Sequence, residues 1–246
     1  MVEILQDHIP YDISEKPNLP GVKPLSLGGW LVEDEAFAMQ MAERDRLINE
    51  LPNKVFCDSG ASFEAKTEVL EQVLLVLRGR SNYKISANQV IRPDEVVIKL
   101  DGDPLLTAAR LVQEDLCLHE KSGDEHVLTA GVLCFPASWT LAEKVGRPLS
   151  SVHGPVVEYD ENIAKRVQRM FDGLKADRPI WRYNLLRYVR PDLYQPRSES
   201  DARRIDLDYG NGDYIRTEHQ SLIRMPKTSS VLFSIHTYIV KDGFLV

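Results

Sequence analysis

Two runs of alternating apolar and polar residues near the end of the chain constrain the fold most. They are YIRTEHQSLIRM, residues 214–225, and SSVLFSIHTYIV, residues 229–240, with Pro226, Lys227 and Thr228 between them. A period of two is typical of β-strands whose two faces meet different surroundings. The two runs are therefore predicted to form a β-hairpin, and the fold must contain an antiparallel sheet.

Further strands and helices are predicted before this hairpin. Strands are predicted over 111–118, 126–135 and 181–189, short helices over 138–145 and 149–153, a longer helix from Asp160, and two N-terminal helices over 33–51 and 62–78. From residue 106 the order is strand, strand, helices, strand, strand, strand, which is the order of a PAS domain. We expect an α+β protein in which an N-terminal arm with packing helices (1–105) precedes a PAS-like, five-stranded antiparallel domain with inserted helices (106–246).

Charge and cysteine content exclude several classes of protein. The net charge is -7 and no run of five basic residues occurs, which disfavours nucleic-acid binding. The three cysteines, Cys57, Cys117 and Cys134, are far apart, so an iron–sulfur cluster is not expected, and Cys117 and Cys134, on apolar strand patterns, are predicted to be free, buried thiols. A sparse, odd cysteine count fits a reducing compartment.

Targeting and nucleotide-binding motifs are not found in the sequence. The N-terminus lacks the basic and apolar regions of a signal peptide, and no apolar run has the length of a membrane span, so we expect a cytoplasmic protein. Gly28 and Gly29 form an isolated pair rather than a flavin- or nicotinamide-binding motif. Any dependence on such a cofactor would therefore require another chain.

One histidine stands in a setting that suits a metal ligand. His153 lies in SSVHGPV, between a Pro/Gly-containing turn and the start of a helix. Histidine is a common metal ligand and the usual axial ligand of haem iron. The simpler interpretation is a histidine in a surface loop, and this segment alone leaves both open.

The final hairpin carries a polar face that also allows two interpretations. Alternation places Arg216, Glu218, Gln220 and Arg224 together, with His219 on the other face. In the last strand, one face is formed by Leu232, Ser234, His236 and Tyr238. Such a polar face is either solvated or a binding site, and its cations would suit an anionic cofactor edge such as haem propionates.

The polar segment 191–212 is long for a loop and is predicted to be a lid or an insertion facing a partner.

Several segments together resemble a known family, the haem-dependent oxidative N-demethylase alpha subunits. They are FAMQMAERDRLI, QEDLCLHE, VLCFPASWTLAEKVGRPLSSVHGPV, YIRTEHQSLIRMPKTSSVLFSIHTYIV and, more loosely, IWRYNLLRY. The resemblance implies a PAS-like domain that binds haem b and acts as a monooxygenase or oxidative demethylase. Such an enzyme activates O₂, oxidises a C–H bond next to an amine nitrogen, and receives electrons from a partner reductase.

The resemblance also implies roles for individual residues. His153 matches the axial iron ligand, and Glu218 would polarise the substrate or bound oxygen. The other implied residues are His236 and Tyr238 for catalysis and Arg216, Gln220, Arg224 and Asn184 for cofactor binding, with Arg224 on a propionate. His236 departs from the family, which often has arginine there, so the identity of the amine stays open.

Two other functions are compatible with the same residues. A haem-PAS gas sensor or haem carrier would use the same ligand without turnover. A sensor generally needs an output module, and no kinase, cyclase or DNA-binding module is visible, which favours the enzyme. A third interpretation is an interaction module that has lost its cofactor or binds flavin.

Overall fold

A computed structural model describes residues 3–14, 21–152, 161–201 and 212–243. Its helices are α1 (Phe37–Glu50), α2 (Pro52–Val55), α3 (Phe63–Leu77), α4 (Pro104–Ala109), α5 (Leu149–Val152) and α6 (Glu161–Gly173). Its strands are β1 (Lys23–Pro24), β2 (Phe56–Asp58), β3 (Lys84–Ile85), β4 (Gln89–Ile91), β5 (Val97–Lys99), β6 (Asp115–Ser122), β7 (Glu125–Val132), β8 (Ile180–Tyr183), β9 (Leu186–Tyr188), β10 (Tyr214–Arg224) and β11 (Val231–Lys241).

The main sheet is built around the predicted hairpin of β10 and β11. Its antiparallel register runs from the Tyr214–Lys241 pair to the Arg224–Val231 pair. The strand order is β1-β8-β10-β11-β6-β7-β2, and β9 pairs with β10 next to β8. The five predicted strands therefore lie side by side, in the order third, fourth, fifth, first, second.

The α+β class with a large antiparallel sheet is confirmed, but the number of strands differs from the prediction. Within the described residues the sheet has eight strands rather than five. The predicted strand 181–189 is two short strands, β8 and β9, and the N-terminal region adds β1 and β2 at the sheet edges. A second sheet, β3-β4-β5, is not predicted, because strands of two or three residues have no measurable period.

Some predicted boundaries were also wrong. The strand predicted over 111–118 begins only at Asp115, because the chain turns and bends over residues 110–114 after α4, whose N-terminus is capped by the Asp103 carboxylate. The helix predicted over 138–145 is only a 3₁₀ turn at Leu141–Glu143. The N-cap predicted at Asp160 lies outside the described residues.

The predicted N-terminal helices are present and pack on the sheet. Ser62 caps α3 as predicted, accepting a hydrogen bond from the Ala65 amide at 3.1 Å. On the same helix, Glu68 accepts from the backbone amides of Lys227 and Thr228 at 2.6 and 2.8 Å, which fixes the turn of the hairpin. One apolar cluster contains residues from both sides of position 105, and the domain boundary there stays a prediction.

The two faces of the central strands are covered by different parts of the chain. We call the side covered by α5 and α6 the helix face, where Leu222 of β10 packs with Phe171 and Leu174. The opposite side is the arm face, where Tyr11 of the N-terminal segment 3–14 packs against His219 and Tyr238, and Asp34 bonds to His236. Cys117 and Cys134 are free and buried thiols, as predicted, and the partly exposed Cys57 is also free. Within the described ranges, no helix has the length and apolar character needed to cross a membrane.

Candidate functional site

A buried carboxylate lies at the centre of the helix face. Glu218 of β10 is only 4% exposed. Its Oε2 accepts hydrogen bonds from Asn184 Nδ2 at 2.7 Å and from Gln220 Nε2 at 2.9 Å. Asn184, in the turn between β8 and β9, also accepts from the backbone amide of Glu218 at 2.8 Å. Two side-chain amides therefore fix the direction of this carboxylate.

The surroundings of Glu218 change its acidity. Burial raises the pKa of this carboxyl, and the charge of Arg216 and the hydrogen bonds from Gln220 and Asn184 only partly oppose that effect. A buried carboxyl with a raised pKa exchanges a proton closer to neutral pH than an exposed one. Glu218 is therefore suited to general acid–base chemistry or to binding an amine.

Two further groups around this carboxylate have unsatisfied donors. Arg182 of β8 lies opposite Gln220 in the sheet register, and its Nη1 donates to Gln220 Oε1 at 3.3 Å. The Nε of Arg182 is buried and has no partner. Thr237 of β11 lies opposite Glu218, and its buried hydroxyl also has no partner. Buried polar groups without partners are rare, and here two of them flank one carboxylate. We call Glu218, Asn184, Gln220, Arg182 and Thr237 the Glu218 cluster.

Arg182 and Thr237 are not predicted from the sequence as site residues. Thr237 belongs to a face of β11 that alternation shows as apolar, with Ile235 and Ile239 as neighbours. Arg182 lies in the loosely matched segment IWRYNLLRY. Arg182 and Thr237 come next to Glu218 only through the pairing register of β8 and β11 with β10. That register cannot be read from a single sequence.

The two arginines predicted to bind the cofactor are held by backbone carbonyls. Arg216 is fully buried and donates to the carbonyls of Leu193 and Phe135 at 3.0 and 2.7 Å. Arg224 donates through Nε to the carbonyl of Leu174 at 2.8 Å, next to the end of α6. Both share the helix face with Glu218, but most of their donors are already used. Their cofactor-binding roles stay predictions.

The predicted iron ligand, His153, lies outside the described residues. The residue before it, Val152, ends α5, which contacts β7 and α6 on the helix face. The buried ammonium of Lys144 donates to the Val152 carbonyl at 2.6 Å and to Glu199 Oε1 at 2.5 Å. The chain is therefore anchored at the peptide that precedes His153.

His236 and Tyr238, predicted as catalytic together with Glu218, lie on the arm face instead. Side chains alternate along a strand, so Thr237 faces Glu218 while its two neighbours face away. His236 is fully buried, with Nε2 3.0 Å from Asp34 Oδ2 and Nδ1 3.2 Å from Glu114 Oε1. The structure therefore brings together Glu218, Gln220 and Asn184 but places the other two predicted residues in a separate cluster.

The carboxylates around His236 predict a pH-dependent stability. Burial alone would lower its pKa, but the hydrogen bonds to Asp34 and Glu114 raise it to about 9. A histidine whose folded pKa is raised contributes stability that is complete below about pH 6.5 and lost as the pH rises towards 9. We expect the free energy of unfolding to fall over this interval, and His236→Gln to remove most of that slope in denaturant titrations. The exposed His8, replaced in the same way, serves as control. An unchanged slope in His236→Gln would contradict the assignment.

The sequence as a whole also matches a family model. The model describes a haem-dependent oxidative N-demethylase, alpha subunit-like, and it matches residues 21–242. This range contains the Glu218 cluster, both predicted arginines and His153. The chain therefore belongs to the haem-dependent oxidative N-demethylase alpha-subunit-like family.

Proposed function

We propose that this protein is a haem-dependent oxidoreductase that activates O₂ to oxidise a small organic amine by N-demethylation. In the overall reaction an N-methyl amine, O₂, two electrons and two protons give the demethylated amine, formaldehyde and water. A partner reductase supplies the electrons, since the sequence has no nucleotide-binding glycine motif. The observation that carries the proposal is the buried Glu218 carboxylate, oriented by Asn184 and Gln220, within a chain that the family model matches over residues 21–242.

We further propose that the central strands and the helices inserted between them form a PAS-like unit for haem b. The order β8-β10-β11-β6-β7, with α5 and α6 between β7 and β8 in the chain, supports this proposal. His153, directly after α5, is the proposed axial ligand. When bound, haem supplies the iron that binds and activates O₂.

The side chains on the helix face fit a haem group in their chemistry. The unpartnered Nε of Arg182 and hydroxyl of Thr237 are donors that an anionic or oxygen-bearing ligand would satisfy. Leu222 and Phe233 provide apolar surface on the same face. The polar edge of the haem would be held by the predicted residues Arg216, Arg224, Gln220 and Asn184. His153 would hold the iron.

Glu218 is the residue proposed to act on the substrate. Its carboxylate, oriented by Asn184 and Gln220, accepts a hydrogen bond from the amine nitrogen or holds a proton for the reaction. Its raised pKa brings uptake and release of that proton closer to neutral pH than for an exposed carboxyl. Burial keeps water from competing for the same oxygen atoms.

Replacing Glu218 with glutamine tests this role. The amide has the same size and can keep the hydrogen bond from Asn184, but it cannot transfer a proton. We expect formaldehyde production to fall about 10²-fold with an unchanged haem absorption spectrum, which is the usual effect of removing one positioned acid–base group. Glu50→Gln, at an exposed position of α1, is the matched control. Wild-type turnover in Glu218→Gln would refute the role, and a lost haem spectrum would show that Glu218 is structural instead.

A further inference from the structure

The guanidinium of Arg182 has one free edge. Its Nη1 is used by Gln220, at 3.3 Å from Oε1. Its Nε is buried without a partner, and its Nη2 donates to no residue in the described parts of the chain. Nε and Nη2 form the side of a guanidinium that binds both oxygens of a carboxylate in parallel.

Arg182, which is partly buried, differs in this respect from two fully buried arginines. Arg44 forms an ion pair with Asp115, and Arg92 pairs with Asp45 and Asp94. No ion pair is formed by Arg182 with any residue that the structure describes. Burial lowers the pKa of its guanidinium, and only the charge of Glu218 opposes this effect. Removing part of a cation from water is costly unless an anion accompanies it, so a bound anion would stabilise this partly buried guanidinium.

The position of Arg182 relative to Glu218 indicates which kind of anion fits. Gln220 links the two residues: its Oε1 accepts from Arg182 at 3.3 Å and its Nε2 donates to Glu218 at 2.9 Å. A cation and a carboxylate thus lie on one sheet face, separated by a single side-chain amide. This arrangement is complementary to a ligand that carries a carboxylate close to an amine.

We propose that Arg182 and Gln220 form a carboxylate-binding subsite next to Glu218. The inference rests on the proposed function and extends it to the ligand. The carboxylate comes either from a haem propionate or from the substrate, which would then be an N-methylated amino acid. Arg216 also has a buried Nε without a partner, but each of its two terminal nitrogens donates to a backbone carbonyl, and all three nitrogens of Arg224 do so.

The test compares Arg182→Met with Arg187→Met, a control on β9 whose guanidinium is 41% exposed and pairs with Asp242. Haem loss is measured by transfer to apomyoglobin, and ligand binding by absorption titration of the haem-loaded protein with sarcosine and with dimethylamine. Arg182→Lys, which keeps the charge but loses the paired donors, is included in case the methionine variant does not fold.

Either of two results would support the subsite, and each identifies the molecule that provides the bound carboxylate. If the propionate is bound, Arg182→Met loses haem about tenfold faster or more, as expected for one charge-assisted pair. If the substrate is bound, haem loss is unchanged, and the affinity for sarcosine falls about tenfold or more while that for dimethylamine does not. Unchanged values for both, or equal changes in Arg187→Met, would overturn the proposal.

A separate measurement distinguishes this inference from the proposed function. If the wild-type protein binds no haem, the proposed function fails and the propionate is eliminated as the source. The subsite then predicts that sarcosine, but not dimethylamine, raises the melting temperature of the wild-type protein and not that of Arg182→Met. Equal shifts in the two proteins would overturn the subsite as well.

Discussion

Replacing His153 with alanine is expected to leave a folded protein that no longer shows the normal Soret absorption of bound haem. The family match covers His153, and an imidazole is a common axial ligand of haem iron. Haem titration of the variant, followed by absorption, measures the effect, and circular dichroism verifies folding. His8→Ala, at an exposed position near the N-terminus, is the control and should bind haem as the wild type does.

An unchanged spectrum in His153→Ala would assign the iron ligand to another histidine. The sequence suggests His219 and His236, but both lie on the arm face, and both ring nitrogens of His236 are bonded to carboxylates. His126 of β7 is the better alternative. It lies against Phe171 of α6, and its Nε2 is buried without a partner. Burial lowers its pKa, which favours the neutral form that binds metals.

The second large effect is a loss of stability on replacing Asp115, whose contacts hold the backbone segment that binds Arg216. Its carboxylate lies 2.9 Å from Arg44 Nη1, and both side chains are fully buried. It also accepts from the backbone amides of Cys134 and Phe135 at 2.7 and 2.8 Å. The carbonyl of Phe135 in turn binds Arg216. Asp115→Ala leaves a buried guanidinium without its anion, so we expect the free energy of unfolding to fall by about 3–5 kcal/mol in urea titrations.

A control on α1, the helix that carries Arg44, distinguishes the loss of this buried ion pair from the loss of an exposed one. Arg46 forms exposed ion pairs with Glu43 and Glu50, and Arg46→Ala should cost about 1 kcal/mol or less. The double variant Arg44→Met, Asp115→Leu should recover much of the stability lost in Asp115→Ala, because an apolar pair has no buried charge. Equal losses in Asp115→Ala and Arg46→Ala would contradict the account.

The parts of the fold that repeat regularly were predictable from the sequence. The hairpin of β10 and β11 consists of two eleven-residue strands, which alternation and the short turn between them predicted, and α3 has both a capping serine and an apolar face. The edge strands β1 and β2 contain two and three residues, and their pairing is set by tertiary contacts rather than by local pattern. That is why the predicted number of strands was wrong, while the order of the central strands along the chain followed the prediction.

The sequence could group the residues of the candidate site only within one strand at a time. Alternation correctly groups Glu218 with Gln220, because residues two apart share a face. It cannot show that Arg182 comes from a neighbouring strand or that the row of β11 facing Glu218 carries Thr237 instead of His236 and Tyr238. Those placements follow from the cross-strand register, which depends on packing against α6 on one side and residues 3–14 on the other.

Formaldehyde production by the haem-loaded protein tests the central claim most directly. The protein is supplied with a chemical reductant, O₂ and a panel of N-methylated amines that includes dimethylamine and sarcosine, and formaldehyde is measured over time. We predict formaldehyde in step with O₂ consumption for at least one amine, dependence on haem, and a strongly reduced rate in Glu218→Gln. A fully haem-loaded protein that binds O₂ but releases no formaldehyde from any amine would contradict the demethylase function and favour a haem-based sensor.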